Sequence, residues 1–315
     1  GAIISIPVAA WSYVKIEQRY MGKAMTGANV SGLIFKFVAL PLVCLVSFLS
    51  IVSVVDPGKA PNEGAVQVPP CENVSRTNVF EICEYNTDGP FRGAPVYLIG
   101  DSNANHYKTG FYVATAAAGR SLSISTRGSC PPFAISPELR DFFPASCAPN
   151  NELLFEWLKH AEPGLVVMGF SGERWAMDRS ISFETSALVP LKDSIMALQK
   201  AGHQVAVISP LPSWPDGAKI GPVYCGLVFS LVINCRVTMN LVEVSSDYYW
   251  NLSEKVKKAA QSMQVSVIDV VPEICPGSVC ETRTRSGDWV WNDRHHISSL
   301  AAQKLAPTFR ALLSE

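Results

Sequence analysis

Two short segments, far apart in the chain, combine residue types that can carry out acyl transfer. The first is Gly100-Asp101-Ser102, which closes the apolar run VYLIG (96–100) and leads directly into helical sequence. A serine at the carboxyl end of a strand and the N-terminus of a helix sits among free backbone N–H groups, where the helix dipole stabilises an alkoxide or oxyanion. The same tripeptide also reads as a plain helix cap, with Asp101 or Ser102 accepting from first-turn N–H groups. The second segment is Asp293-Arg294-His295-His296. Residues three apart face each other in a turn, so Asp293 can accept the Nδ1 proton of His296 and leave Nε2 free as a base. A serine nucleophile needs such an oriented base. His295 is the alternative imidazole, but it falls on a different face, and the spacing favours His296. Neither segment is diagnostic alone: an isolated D-x-x-H is more often solvated surface.

The elements that would bring these segments together are legible from residue 95 onward. Short continuous apolar runs, VYLIG (96–100), LSIST (122–126), LVVMGF (165–170), VAVIS (205–209) and VSVIDV (265–270), suit strands covered on both faces. Helical stretches lie between them at 104–119, 150–161, 184–201 and 245–263. The alternation predicts a doubly wound α/β fold, a three-layer sandwich around a central parallel sheet of five strands. Residues 211–244, with three prolines, break the rhythm and are expected to form an insertion near the strand ends, where ligands of open sheets bind.

Upstream, residues 33–55 are apolar except for Lys36, long enough to cross a hydrocarbon layer of about 30 Å. A secretory signal would have a shorter apolar region ending in small residues, so a transmembrane helix is expected. The preceding loop carries Lys15, Arg19 and Lys23, which places it in the cytoplasm and everything after Asp56 on the other side. The expected organisation is therefore 1–32 as the end of a membrane domain and its loop, 33–55 as the span, 56–94 as a linker or extension, and 95–315 as the catalytic domain. Twenty-six basic and 27 acidic residues are spread without blocks, so no electrostatic footprint for nucleic acid is present.

Of nine cysteines, Cys44 falls in the span and eight follow it. Disulfides accumulate in oxidising compartments. Proximity in sequence favours Cys71 with Cys83, Cys130 with Cys147, Cys225 with Cys235, and Cys275 with Cys280, although other pairings remain open. A zinc site is the competing use of these thiols, but ligand spacing such as CxxC is missing.

The GDS block, the late D-x-x-H and their order relative to the strands resemble the SGNH/GDSL superfamily. More narrowly, GDSNANHY (100–107), RGSCPPF (127–133), CPGSVC (275–280) and DRHHIS (293–298) resemble SGNH domains fused behind acyltransferase-3 membrane domains. SYVKIEQRYM (12–21) is similar to the SYxxIE-type ending of such a membrane domain, with Arg19 where a proline is usual. The resemblance implies a catalytic triad of Ser102, Asp293 and His296. It also implies oxyanion donors: Gly128 fits the glycine position, but the sequence after the third strand, Gly169 to Trp175, has no asparagine. The N–H of Ser102, Gly128 and Arg174 are then the candidate donors, with Asn103 and Asn105 read as helix-start caps.

His106 occupies a place where related domains often carry a histidine, and it reads equally as a structural residue. Trp175, Trp214, Trp289 and Trp291 are expected either in the core or, if exposed together, stacked on sugar rings.

The resemblance further implies an O-acyltransferase that moves an acetyl group onto a sugar hydroxyl of a bacterial surface polysaccharide such as lipopolysaccharide O-antigen. Its partners would be that glycan and an upstream membrane acyltransferase domain, and acetyl-CoA would be the ultimate donor, with no cofactor or metal bound by this region. It would sit in the inner membrane of a Gram-negative bacterium with the catalytic domain in the periplasm. A membrane-anchored carbohydrate esterase and a glycan-binding adaptor with a degenerate site are the alternatives.

Overall fold

The computed structural model describes residues 62, 64–76, 80–86, 93–172, 175, 180–214, 220–222, 236–241 and 248–314, all within a compact unit spanning Pro57–Glu315. The expected span at 33–55 and the segment before it lie outside the described residues. Among the described residues no helix is long and apolar enough to cross a membrane.

Five strands form the parallel centre: β3 (Val96–Gly100), β4 (Leu122–Thr126), β5 (Leu165–Gly169), β6 (Gln204–Ile208) and β8 (Ser266–Ile268). Two more, β1 (Asn73–Arg76) and β2 (Glu81–Tyr85), lengthen it, giving the order β1-β2-β4-β3-β5-β6-β8. β1 and β2 pair antiparallel, and β2 runs antiparallel to β4 with Cys83 opposite Ile124. The sheet is therefore seven-stranded and mixed rather than five-stranded and parallel, and the segment expected to be a linker or extension supplies two of its strands. Their apolar pattern was hidden because it is short: in EICEY only Ile82, Cys83 and Tyr85 are buried. A further pair, β7 (Thr238–Asn240) and β9 (Val279–Glu281), forms a separate two-stranded ribbon joining the insertion to the Cys275 loop.

Successive strand residues point to opposite faces, and both faces are covered. Val96 and Leu98 of β3 join a cluster with Phe111 and Phe309, whose rings stack at 4.1 Å. These phenylalanines come from α2 (Lys108–Ala118) and α7 (Ala306–Leu312), with α6 (Ser299–Lys304) beside them. Tyr97 and Ile99 face the other way, onto Leu154 and Leu158 of α3 (Cys147–His160), Leu191 and Ile195 of α4 (Val189–Lys200), and Leu252 and Val256 of α5 (Tyr248–Ser262). This is the three-layer arrangement anticipated from the apolar runs. Because β3 has β4 on one side and β5 on the other, the chain reverses its winding direction there, which leaves a crevice at the carboxyl end of β3.

Candidate active site

Gly100 ends β3 with φ of +150°, and a Cβ at this position would lie 1.8 Å from the carbonyl oxygen of Gly169 on β5. Only glycine lets the two strands close here. Asp101 follows, buried, as the N-cap of α1 (Ser102–His106). Its Oδ1 accepts from the N–H of Asn103 at 2.8 Å, and its Oδ2 accepts from the N–H of Ser171 at 2.8 Å. The capping reading thus holds for Asp101, while the next residue is left to face the crevice. Burial pushes the Asp101 carboxyl up to about 6, against the N–H bonds from Ser171 and Asn103 that favour its charge. Asn103 and Asn105, expected to cap the helix, sit inside its first turn instead. Asn103 is buried and Asn105 is exposed.

Ser102, half-buried, sits 2.9 Å through its Oγ from Nε2 of His296. The Nδ1 of His296 lies 2.7 Å from Oδ2 and 2.9 Å from Oδ1 of Asp293. An ionised carboxylate only accepts, so Nδ1–H donates to Asp293 and Nε2 is left to accept the serine hydroxyl. The turn is held by the N–H of Asn292, donating to the His296 carbonyl at 2.7 Å. Asp293 Oδ1 also accepts the backbone N–H groups of His295 and His296 at 2.9 and 3.0 Å. Burial opposes the Asp293 charge, but the His296 ring and the His295 N–H hold the carboxyl down at about 2.

The neighbouring His295 turns away. Its ring is at 78° to that of His296, and its Nδ1 pairs with Ser213 Oγ at 2.9 Å. Arg294 donates twice to the Trp214 carbonyl, at 3.2 and 2.8 Å, and the Trp214 N–H returns a bond to the Arg294 carbonyl at 3.1 Å. The start of the 211–244 insertion therefore braces the turn that carries His296, a role that its proline content did not announce.

His106 stacks on His296, with ring centroids 4.2 Å apart and planes 17° from parallel. Its Nδ1 lies 2.8 Å from the Ile297 carbonyl, to which it donates. Burial, and then the charge of His296, lower the His106 imidazole to about 4. It is a neutral ring pinned against the candidate base.

The oxyanion side is less complete. Gly128 lies in the exposed turn after β4, whose first residue Arg127 donates its N–H to the Gly100 carbonyl at 2.9 Å. Ser171, at the strand end where the resemblance calls for an asparagine, has its N–H committed to Asp101. Arg174 lies outside the described residues. The four tryptophans are core residues: Trp175 donates to Ser186 Oγ at 2.7 Å, Trp214 and Trp291 pack edge to face at 5.8 Å, and Trp289 carries Arg283 on its ring. All four are under 4 % exposed, so they offer no stacking platform for a sugar.

Disulfides join Cys71 to Cys83, Cys130 to Cys147 and Cys275 to Cys280, the sequence-local pairs. Cys225 and Cys235 lie outside the described residues. The first bridge fastens the approach to β1 onto β2, and the second ties the segment after β4 to the start of α3.

No curated protein matches the chain in sequence. Among solved structures, the chain is similar to the periplasmic domain of a lipopolysaccharide acetyltransferase from Salmonella ser. Paratyphi A. The identity is 17 %, with 72 % of this chain and 85 % of that one covered and a TM-score of 0.51. It is also similar to an acylhydrolase of Bacteroides fragilis (12 % identity, 73 % and 92 % covered, TM-score 0.41). A GDSL-like lipase of Bacteroides thetaiotaomicron is a third (10 %, 73 % and 95 %, 0.40). At 17 % identity the likeness to the Salmonella domain speaks for the fold alone. The family model described as "SGNH domain (fused to AT3 domains)" matches residues 70–311, which takes in β1, β2 and the whole region that carries Ser102 and His296. A family of acyl-transfer and hydrolase enzymes is the one this constellation calls for, and the chain belongs to it: it is an SGNH domain of the kind fused to AT3 domains.

Proposed function

We propose that the chain is the extracytoplasmic part of an O-acyltransferase that acetylates a hydroxyl of a surface polysaccharide through an acyl-Ser102 intermediate. The reading rests above all on the unbroken hydrogen-bond chain from Ser102 through His296 to Asp293. In the first half-reaction the Ser102 oxygen attacks the acyl carbonyl carbon while its proton passes to His296 Nε2. His296 then gives that proton to the departing donor group, and Asp293 holds the imidazole in the required tautomer throughout. In the second half-reaction the sugar hydroxyl attacks the ester, its proton goes to Nε2, and the Ser102 oxygen leaves and recovers a proton. The N–H of Ser102, at the start of α1, and that of Gly128 are the donors offered to the oxyanion.

Membership of a family whose members are fused to AT3 domains supports an upstream membrane partner that delivers acetyl groups drawn from acetyl-CoA. The likeness to the Salmonella domain supports a glycan acceptor and a membrane-anchored protein with this domain in the periplasm. Hydrolysis is the second reading, because Ser102 is only half-buried and water can reach an ester there. The two readings separate in an acceptor-competition experiment. The full chain is loaded with a small activated acetyl ester, and the acetyl group is followed into free acetate and into oligosaccharide. Acetylated oligosaccharide that appears only with intact Ser102 supports transfer. Acetate alone, at every acceptor concentration, replaces it with the esterase.

A further inference from the structure

The cavities of the domain differ in chemistry and in the end of the sheet they occupy. One of about 430 Å³ lies between α3 and α4 and is lined largely by apolar side chains, among them Ile135, Phe155 and Leu198. Another, of about 300 Å³, is built on Leu165 and Gln204, the first residues of β5 and β6, at the opposite end of the strands from the nucleophile. A third, of about 280 Å³, is different. Asn105, Lys108, Thr126 and Arg127 line it, with Glu81 and Asn150 across from them.

Its position follows from the register. Thr126 is the sheet partner of Gly100, the residue two before Ser102, and Arg127 binds the Gly100 carbonyl through its N–H. Asn105 and Lys108 follow Ser102 by one and about two helical turns along α1 and into α2. Because β2 runs antiparallel to β4, its first residue Glu81 also arrives at this carboxyl end. The cleft thus begins at the strand ends next to the Gly100–Ser102 junction and runs along β2 and β4 down to Tyr85, the partner of Leu122 at the amino end of β4, with β2 and the Cys71–Cys83 bridge as its outer wall.

Its chemistry follows from the side chains. Two cations, a carboxylate, two amides and a hydroxyl suit a hydroxyl-rich ligand rather than an acyl chain. Lys108 gives the sign of its charge. The ammonium lies 4.8 Å from the centroid of the buried Tyr85 ring, and no carboxylate pairs with it among the described residues. A cation kept on an aromatic face, without a fixed anion, is positioned to receive one.

We infer that this cleft is the acceptor subsite and that it takes a sugar chain bearing a negative group, held by Lys108 at the Tyr85 end of the cleft, with the hydroxyl that receives the acyl group at the other end, toward Ser102. The inference deepens the transfer reading and rests on it for the word acceptor, while the binding it asserts stands apart from turnover. The experiment measures binding to full-chain Ser102→Ala with two probes, tetragalacturonate and the neutral maltotetraose, and repeats it with Lys108→Met and Asn105→Ala added. Methionine keeps an apolar stem over Tyr85 and removes the charge. The expected result is that Lys108→Met weakens tetragalacturonate about tenfold and maltotetraose little, that Asn105→Ala weakens both, and that thermal unfolding is unchanged. Equal weakening of the two probes by Lys108→Met overturns the anionic acceptor. Unchanged binding of both probes in both variants, or no binding of either to the parent, overturns the subsite. Failure of the transfer reading appears elsewhere, as the lack of an acetyl-Ser102 adduct in the wild-type chain.

Discussion

The rings of His106 and His296 lie face to face, 4.2 Å apart, with His106 tied to the Ile297 carbonyl by its Nδ1–H at 2.8 Å. The contact fixes the plane of His296 at the angle that lets one nitrogen reach Ser102 and the other reach Asp293. It also sets a requirement on charge. His296 must become an imidazolium during turnover, and a second cation at stacking distance would oppose that, whereas a neutral ring offers it a π face. Burial and the neighbouring charge keep His106 neutral down to about 4.

This gives a stability prediction with a definite sign. A histidine whose folded value is lowered from 6.5 to about 4 contributes stability that is fully present above pH 6.5 and is lost as pH falls toward 4. His106→Phe keeps a stacked ring without that ionisation. Urea midpoints should therefore fall less in His106→Phe than in the wild type between pH 6.5 and 4. Parallel curves would remove the buried, neutral His106 from the account. His106→Ala, which removes the face altogether, should lower turnover of a small acetyl ester by up to about 10²-fold through misplacement of His296.

The hydrogen-bond chain itself predicts an order of losses. Ser102→Ala should remove ester turnover and adduct formation with an activated phosphonate together. Asp293→Asn should cost up to about 10⁴-fold in kcat, because the amide stabilises the wrong tautomer of His296 while the nucleophile stays in place. His295→Ala, whose ring points to Ser213, should cost far less than His296→Ala. A dead His295→Ala beside an active His296→Ala would reverse the assignment.

How much of this was readable beforehand depends on where the determining contacts lie. The parallel strands are apolar runs, wholly buried in β3 and β5 and largely so in β4 and β6, so local composition suffices, and β3 and β4 fall at the residues expected. Ser102, Asp293 and His296 were legible because strand-to-helix context and three-residue spacing are sequence properties. β1 and β2 were not, since a short edge strand with polar residues outward looks like linker. Nor was the stack of His106 on His296, which joins residues 190 positions apart through α1 and the turn after β9. The bond from Ser171 to Asp101 is equally invisible in sequence, and it explains why the strand end that lacks an asparagine still has a structural task.

The cysteines predict a redox behaviour. Denatured without reduction, the described domain should expose no free thiol among Cys71, Cys83, Cys130, Cys147, Cys275 and Cys280, and alkylation followed by mass spectrometry reads this directly. Replacing Cys71 and Cys83 by serine should lower stability by about 2–3 kcal/mol, as loops of this length do when opened, and loosen β1 and β2 first. Hydrogen exchange that accelerates in the strands on the far side of the sheet instead would contradict the edge-strand role of this bridge.

Asp101 supplies the last prediction, because one carboxylate serves two loops from a buried position. Its oxygens accept the N–H groups of Asn103 and Ser171, joining the start of α1 to the loop after β5. An asparagine offers a single acceptor oxygen, so Asp101→Asn leaves one buried N–H facing an amide nitrogen, which costs about 1–3 kcal/mol. The ionisation works in the other direction. A carboxyl raised from 3.8 to about 6 contributes stability that is fully present below 3.8 and is lost as pH rises through 6, since burial penalises the charged form. The variant lacks this dependence. The wild type should therefore exceed Asp101→Asn by most near pH 4 and by least near pH 7, and urea midpoints at unit intervals across that range measure the difference. A gap that stays constant would mean that Asp101 is not desolvated as its position requires. Ester turnover should fall in the variant at every pH, because the Ser171 loop flanks Gly169 and sets the wall against which Ser102 is presented.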